Sequence, residues 1–261
     1  MSIVVGVDNG PGGQLAVRWA VDEALLRGRP LRIVHVSTGM EDDPAEPART
    51  GRLRTVAPGL RGYLDAMNYA RDRVPDDMLS GIHPQGPATR VLLKESADAE
   101  LLVVGSRGRP PLAAVMGSVS SAVAAHAAPP TVVVRGYEDE GTQRGGIVVG
   151  VDGSTHAARA LQFALVEARL RRTDLVVVQG RGATSPTVDE LVAAGTVRGS
   201  TVRLHLVRND QEPAGVLIDR TRTATLTVVG SRGHSGVASV LLGSVSQAVL
   251  RHAHGPVAVV H

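Results

Sequence analysis

IVVGVD, residues 3–8, occurs a second time at residues 147–152 without a single change. The repeat continues at the same offset of 144 residues, because WAVDEALLRGRPLRIVH (19–35) aligns with FALVEARLRRTDLVVVQ (163–179). Self-similarity over this length predicts two copies of one structural unit, so we expect the chain to fold as two related halves.

The later parts of the two halves also match, but at offsets of 125 and 126 residues. The matched stretches are LLVVGSRG (101–108) with LTVVGSRG (226–233), and GSVSSAVAAHAAPPTVVV (117–134) with GSVSQAVLRHAHGPVAVV (243–260). The first change of offset means that half two lacks 19 residues after its second strand, where SPTVDELVAAG (185–195) remains as a stub. Half one lacks one residue inside its glycine-rich loop.

A polar, glycine-rich stretch separates the halves. It reads GYEDEGTQRGG (136–146), which predicts a linker between domains at residues 1–136 and 146–261. The alignment of the halves places Trp19, the only tryptophan, opposite Phe163, the only phenylalanine. Each half therefore carries one large aromatic residue at the same place.

Short β-branched runs alternate with amphipathic segments of helical length in each half. Half one predicts strands at 3–7, 31–36, about 78–83, 101–105 and 131–135, and helices at 13–27, near 60–73, 87–97 and 118–127. Runs that are apolar throughout, such as LLVV, are typical of parallel strands covered by helices on both faces. We predict an α/β fold of two tandem, doubly wound domains, each with a five-stranded parallel sheet in the order 3-2-1-4-5.

Composition excludes several classes of protein. The 261 residues are 43% hydrophobic and contain no cysteine, which permits sizeable cores and excludes disulfides and thiolate chemistry. The 28 basic residues are scattered among 25 acidic ones and aromatic residues make up only 2%, so we expect no nucleic-acid binding. The sequence shows neither a leader peptide nor an apolar run of about 18 residues, which favours a cytoplasmic protein without a membrane anchor.

Glycines follow the predicted fourth strand of half two in the pattern Gly-x2-Gly-x9-Gly-Ser, formed by Gly230, Gly233, Gly243 and Ser244. Asp152 ends the first strand, which neighbours the fourth where the strand order reverses, so both ends face one crevice. Backbone amides without side chains and the N-terminus of a helix together favour a polyanion such as a phosphate chain. The alternative is that the glycines only supply positive φ in turns and Ser244 only caps a helix.

These motifs resemble those of the tandem-domain universal stress proteins, a family with a Rossmann-like, adenine nucleotide α-hydrolase-like fold. The stretches that carry the resemblance are GVDGS (150–154), VVGSRG (228–233), GSVSQAVLRHA (243–253) and PVAVV (256–260). The resemblance implies that the halves are related by a pseudo-two-fold axis. It also implies that the fifth strands, TVVVR (131–135) and VAVVH (257–261), pair within the chain as in a dimer.

The resemblance further implies ATP as the ligand, with or without Mg²⁺. In half two, Asp152 would contact the ribose or adenine, and the phosphates would lie on Gly230, Gly233, Gly243, Ser244, Val245 and Ser246. In half one, the corresponding residues are Asp8, Gly105, Gly108, Gly117, Ser118, Val119 and Ser120. Val36, after the second strand, would form the wall for the adenine.

Each half departs from this pattern in its own way. Half one has only eight residues between Gly108 and Gly117, and they include Pro110 and Pro111, which have no N–H to offer a phosphate. Its first loop, NGPGG (9–13), is also unusual, so we expect weaker phosphate contacts in half one. Half two has Gly180 where half one has Val36, so we expect less apolar contact with a base there.

The sequence does not favour an enzyme or a metal site. Lys94, the only lysine, lies outside any P-loop pattern, and no Gly-x-Ser-x-Gly is present. We interpret His252 and His254 as a helix end and the acidic run EDDPAE (41–46) as solvated surface. We therefore predict no catalytic and no metal-binding residues.

The leading hypothesis is a stress-response regulator that binds an adenine nucleotide, with any hydrolysis slow and incidental. It would act through a regulatory protein partner not identified by the sequence, as an intrachain pseudo-dimer that could also form a homodimer. The first alternative is a scaffold of the same fold with vestigial pockets. A second alternative, a role like that of electron-transfer flavoproteins, predicts a yellow preparation.

Overall fold

The ten strands of the described residues form one continuous sheet across both halves. The computed structural model describes residues 1–37, 60–106, 117–136, 145–180, 188–189, 202–208, 212–233 and 242–261. The strands are β1 (Ile3–Val7), β2 (Leu31–His35), β3 (Leu79–Ile82), β4 (Leu101–Gly105), β5 (Thr131–Val134), β6 (Gly145–Val151), β7 (Leu175–Gln179), β8 (Leu204–Arg208), β9 (Ala224–Gly230) and β10 (Val257–Val260).

Helices connect the strands on both faces of this sheet. Those described are α1 (Pro11–Arg27), α2 (Arg61–Arg71), α3 (Ala88–Glu95), α4 (Ser118–His126), α5 (Thr155–Arg171), α6 (Pro213–Arg220) and α7 (Ser244–His252), with a 3-10 turn at Asp76–Met78. Side chains of α1, α2 and α5 contribute to the core on one face, and those of α3, α4, α6 and α7 to the core on the other. No helix in these parts of the chain is long and apolar enough to cross a membrane.

The strand order confirms the predicted fold class. It runs β3-β2-β1-β4-β5-β10-β9-β6-β7-β8, so each half has the order 3-2-1-4-5. Strands within a half are parallel, whereas β5 and β10 pair in antiparallel orientation, with Val133 opposite Val257. The predicted pairing of the two fifth strands is therefore confirmed. It removes two apolar edges that would otherwise be exposed to aggregation.

The element boundaries of half one agree with the predictions to within two residues. Helix α1 begins at Pro11 rather than residue 13, because proline is well suited to the first position of a helix. Strand β6 begins at Gly145, inside the predicted linker. The domain boundaries themselves remain a prediction.

Two predicted segments lie wholly or largely outside the described residues. They are the acidic run 41–46 and the stub 185–195, of which only Val188 and Asp189 are described, both helical.

Helices α1 and α5 are in contact where the halves meet, and four charged side chains with little exposure come together there. We call Glu23, Arg27, Glu167 and Arg171 the central ion cluster. Arg27 and Arg171 each contact both carboxylates, and the side chains of Glu23 and Glu167 are only 1% and 0% exposed. The arginines also extend over the opposite half's aromatic ring, Arg27 over Phe163 and Arg171 over the aligned tryptophan. Trp19 and Phe163, the aligned aromatic residues, are therefore part of the contact between the halves.

The central ion cluster predicts a pH dependence of stability. Burial and the nearby carboxylate of Glu23 raise the pKa of Glu167 from 4.5 to about 7, against the opposing effect of Arg171 and Arg27. The native state therefore binds this proton more tightly than the unfolded chain. The stabilisation that comes from protonation of Glu167 in the native state is complete below pH 4.5 and is lost as the pH rises through about 7.

We expect the wild-type protein to gain stability relative to Glu167→Gln when the pH is lowered from about 8.5 to about 5. Glutamine cannot titrate, so it removes this contribution while other titrating groups affect both proteins alike. The measurement is the free energy of unfolding of both proteins by chemical denaturation across this range. Parallel pH profiles would show that Glu167 does not take up the proton.

A second link between the halves lies beside the central pair of strands. Arg135 follows β5, and its buried guanidinium donates a hydrogen bond of 2.8 Å to the carbonyl of Arg251 in the last turn of α7. Carbonyls at a helix C-terminus have no partner within the helix and favour a cation. Half one therefore caps a helix of half two.

Candidate functional site

Two cavities lie at corresponding places in the halves, beyond the carboxyl ends of the strands where the strand order reverses. Pocket one, between β1 and β4, has a volume of ≈ 510 Å³, and pocket two, between β6 and β9, has ≈ 240 Å³. The predicted residues that line pocket one are Asp8, Val36, Gly105, Gly117, Val119 and Ser120. Those that line pocket two are Asp152, Gly230, Gly233, Gly243, Ser244, Val245 and Ser246.

Two predicted residues of half one do not join this set. Gly108 lies outside the described residues, as do Pro110 and Pro111. Ser118 is exposed as the first residue of α4 and is not part of the pocket lining. The phosphate contacts predicted for Gly108 and Ser118 remain predictions.

A helix begins at each pocket with a glycine as its N-cap. Gly117 precedes α4 and Gly243 precedes α7, both in extended conformation. Glycine has no side chain to accept hydrogen bonds from the first-turn amides, which have no carbonyl partner within the helix. These amides and the positive end of the helix dipole therefore make one end of each pocket suited to an anion.

The second serine of each helix, by contrast, uses its hydroxyl within the protein. Ser120 donates to the carbonyl oxygen of Gly105 at 2.7 Å, and Ser246 donates to that of Gly230 at 2.6 Å. Both side chains are buried. Their hydroxyl protons are thus committed to fixing the helix against the strand end, and a phosphate would meet their backbone amides instead.

The glycines at the strand ends allow a close approach of backbones. A Cβ on Gly105 would overlap the carbonyl oxygen of Gly12, and one on Gly230 would lie 2.9 Å from the carbonyl carbon of His156. None of the described motif glycines has a positive φ. The alternative that they serve as positive-φ turn residues is therefore wrong, and the strand-end pair instead brings β4 and β9 against the first turns of α1 and α5.

The two aspartates organise the loop between first strand and first helix. Asp8 Oδ1 accepts a hydrogen bond from the amide of Gly10 at 3.0 Å, and Asp152 Oδ1 accepts one from the amide of Ser154 at 2.9 Å. In half two, Ser154 also caps α5 by accepting from the amide of Ala157 at 3.2 Å. In half one the N-cap is Gly10, which has no side chain to accept such a bond.

Apolar residues also line each pocket. In pocket one they are Val34, Val36, Ala88, Leu92 and Val104. In pocket two they are Val178, Pro213 and Val229, with Gly180 among them. Each pocket therefore combines apolar residues with the amides of a helix N-terminus.

The wall of pocket two differs from the expectation. A Cβ on Gly180 would lie 2.8 Å from Cγ of Pro213, so the space left by the missing side chain is filled by the proline ring. The sequence comparison missed this because Pro213 lies 33 residues further along the chain. Ala88 is the first residue of α3 and Pro213 is the first residue of α6. An alignment of these two helices would have placed Pro213 at the pocket.

Sequence reasoning also missed Arg232, which lines pocket two. It stands inside the glycine motif, between Gly230 and Gly233, and the repetition of GSRG in both halves was the signal. Its positive charge favours an anion near the amide end. Among the described residues, no group of three or more histidines and carboxylates is arranged to hold a metal ion, and the prediction for His252 and His254 stays open.

The chain is similar to known proteins over its whole length. The universal stress protein family model matches residues 1–135 and 183–261. A universal stress protein of Mycobacterium tuberculosis H37Rv is 34% identical over 290 residues, covering 99% of this chain and 96% of that protein. One from Mycolicibacterium smegmatis is 32% identical over 286 residues, with coverage of 99% and 96%. The solved structure of a universal stress protein from Archaeoglobus fulgidus shares the fold, with a TM-score of 0.70, 19% identity, and coverage of 99% and 97%.

Proposed function

The chain belongs to the universal stress protein family, and on this premise we propose that it is a non-enzymatic regulator that binds adenine nucleotides, ATP above all. The observation that carries the proposal is the build of the pockets. Each combines apolar lining residues with the N-terminus of a helix that starts at a glycine. A nucleotide has the matching parts, a base and a phosphate chain.

The residues present fit a triphosphate. First-turn amides of α4 and α7 and the guanidinium of Arg232 supply donors and positive charge. Magnesium usually binds through substrate phosphates, water and one or two carboxylates. We propose that any magnesium enters with the nucleotide; the carboxylates in the described linings are those of Asp8 and Asp152.

Two features support binding without fast hydrolysis. Within the described lining of the pockets, the serine hydroxyls of Ser120 and Ser246 donate to carbonyls and are not placed to activate a nucleophile. The only lysine, Lys94, is absent from both linings as described. Binding would instead shift the protein toward a state recognised by a regulatory partner. The partner, a further homodimer and a cytoplasmic location stay predictions.

One observation favours the scaffold as a second candidate, at least for half two. The ≈ 240 Å³ of pocket two lies below the range of about 300–1,000 Å³ that is usual for small-molecule sites. Pocket one, at ≈ 510 Å³, lies inside that range. A scaffold with vestigial pockets would bind no nucleotide in either half.

Calorimetric titration of the nucleotide-free full chain with ATP separates the candidates. We expect saturable heat and a higher Tm, because ligand at about 100 times Kd stabilises the native state by about 2.7 kcal/mol. Neither heat nor stabilisation at millimolar ATP would contradict the proposal and favour the scaffold. A visible spectrum with flavin bands would favour the flavoprotein alternative.

A further inference from the structure

We propose that Pro213 is the residue against which half two packs the base of its nucleotide, in place of Val36, the residue after β2 that would do so in half one. The inference rests on the proposed function and concerns which residue determines ligand selectivity in pocket two. It makes pocket two a base-binding site in its own right. It does not follow from the alignment of the second strands, where half two has only Gly180.

The two halves differ here by a pair of exchanges. Val36 in half one corresponds to Gly180 in half two, and Ala88, the first residue of α3, corresponds to Pro213, the first residue of α6. All four residues line their pockets. Relative to half one, half two therefore lacks the apolar side chain after its second strand, and it has a larger apolar side chain at the start of the helix.

The geometry links these exchanges. Because a Cβ on Gly180 would stand 2.8 Å from Cγ of Pro213, the ring and a strand side chain exclude each other. Substitutions that preserve total apolar volume are tolerated best in packed sites. The apolar contact that half one has after its second strand is therefore supplied in half two by the first residue of α6.

Pro213 is also suited to contact a planar ring. It is half-buried, so part of its ring stays accessible from the pocket. The pyrrolidine ring has no donor, and the fixed φ of proline leaves little conformational freedom to lose on binding. Val178 and Val229 complete an apolar surface beside it. The ligand part that fits is the flat, weakly polar face of a base.

Methyl NMR of the full chain can follow each pocket separately. Val119 and Val245 line pockets one and two at corresponding places, so their methyl signals report ATP binding site by site. Tripolyphosphate, which has no base, is the second probe. The variants are Pro213→Ala, Gly180→Val and the double variant, with Tm measured for each to establish folding.

We expect Pro213→Ala to weaken ATP binding at pocket two by about 5- to 15-fold, since it removes two ring carbons that are partly or fully in apolar contact. Tripolyphosphate affinity at Val245, and ATP affinity at Val119, should stay unchanged. Gly180→Val should weaken ATP binding because the new side chain collides with the proline. The double variant should recover it, because it recreates the wall of half one.

Val36→Gly is the matched control in half one. Ala88 lines pocket one where Pro213 lines pocket two, so ATP binding should weaken at Val119 alone. Unchanged ATP affinity of Pro213→Ala at Val245 would overturn the inference, as would an equal loss for ATP and tripolyphosphate, which indicates a structural effect. Absence of any ATP response in the wild-type protein at either methyl would instead refute the proposed function, and this inference with it.

Discussion

Gly233→Ala weakens ATP binding at pocket two about 10- to 100-fold, the range expected for overpacking a tight site. A Cβ at this position would overlap Oδ2 of Asp152, so either the loop or the carboxylate must move. Gly233 and Asp152 both line pocket two. The methyl group therefore changes the distance between the acidic strand end and the amide end, which the ligand must span.

Gly243→Ala provides the matched control within the same motif. A Cβ on Gly243 would meet its nearest neighbour, Cα of Arg232, at 3.5 Å, an ordinary van der Waals distance. Its φ of −67° suits any residue. ATP titrations followed at the Val245 methyl should show a smaller loss than for Gly233→Ala, since the added methyl group leaves Asp152 in place. Equal losses in the two variants would mean that flexibility of the loop, rather than the contact with the aspartate, determines affinity.

The fold could be predicted from the sequence because its determinants are local and occur twice. The strands are short apolar runs such as the one in IVVGVD. Strands of a parallel sheet are covered on both faces, so both sets of alternating side chains must be apolar. The crossovers between them leave few topologies open. The pairing of β5 with β10 could be predicted since an unpaired apolar edge is unfavourable. The glycines and serines of the motif could be placed in the pocket linings from the sequence, apart from Ser118, which lies outside the lining, and Gly108, which lies outside the described residues.

Contacts between distant segments could not be predicted in the same way. Glu23 and Arg27 stand four residues apart on α1, a spacing that suggests an exposed helical pair. They are buried only because the equivalent pair of the other half contacts them. Pro213 likewise gains its place from the approach of α6 to β7, and the hydroxyls of Ser120 and Ser246 face carbonyls that no linear pattern reveals.

Arg27→Met is expected to lower the free energy of unfolding by about 3–5 kcal/mol, as for other buried ion pairs that lose one partner. Arg27 is 7% exposed and contacts Glu23, Glu167 and Glu100, the last at 2.6 Å. Methionine preserves much of the apolar stem over Phe163 but leaves three carboxylates to share the remaining cations. Since repulsion among buried carboxylates is the cause, the loss should be smaller at low pH.

Arg29→Met is the control that separates the loss of a buried cation from the loss of an exposed one. Arg29 binds the same Glu100 at 2.7 Å, but its side chain is 49% exposed, so its loss should cost no more than about 1 kcal/mol. Urea unfolding of both variants at neutral pH gives the comparison. If the two substitutions cost the same, the central ion cluster contributes no more than a surface pair, and the halves must be held together by the β5–β10 pairing and apolar contacts instead. A difference of several kcal/mol would show that the contact of α1 and α5 depends on charge neutralisation across the pseudo-two-fold axis.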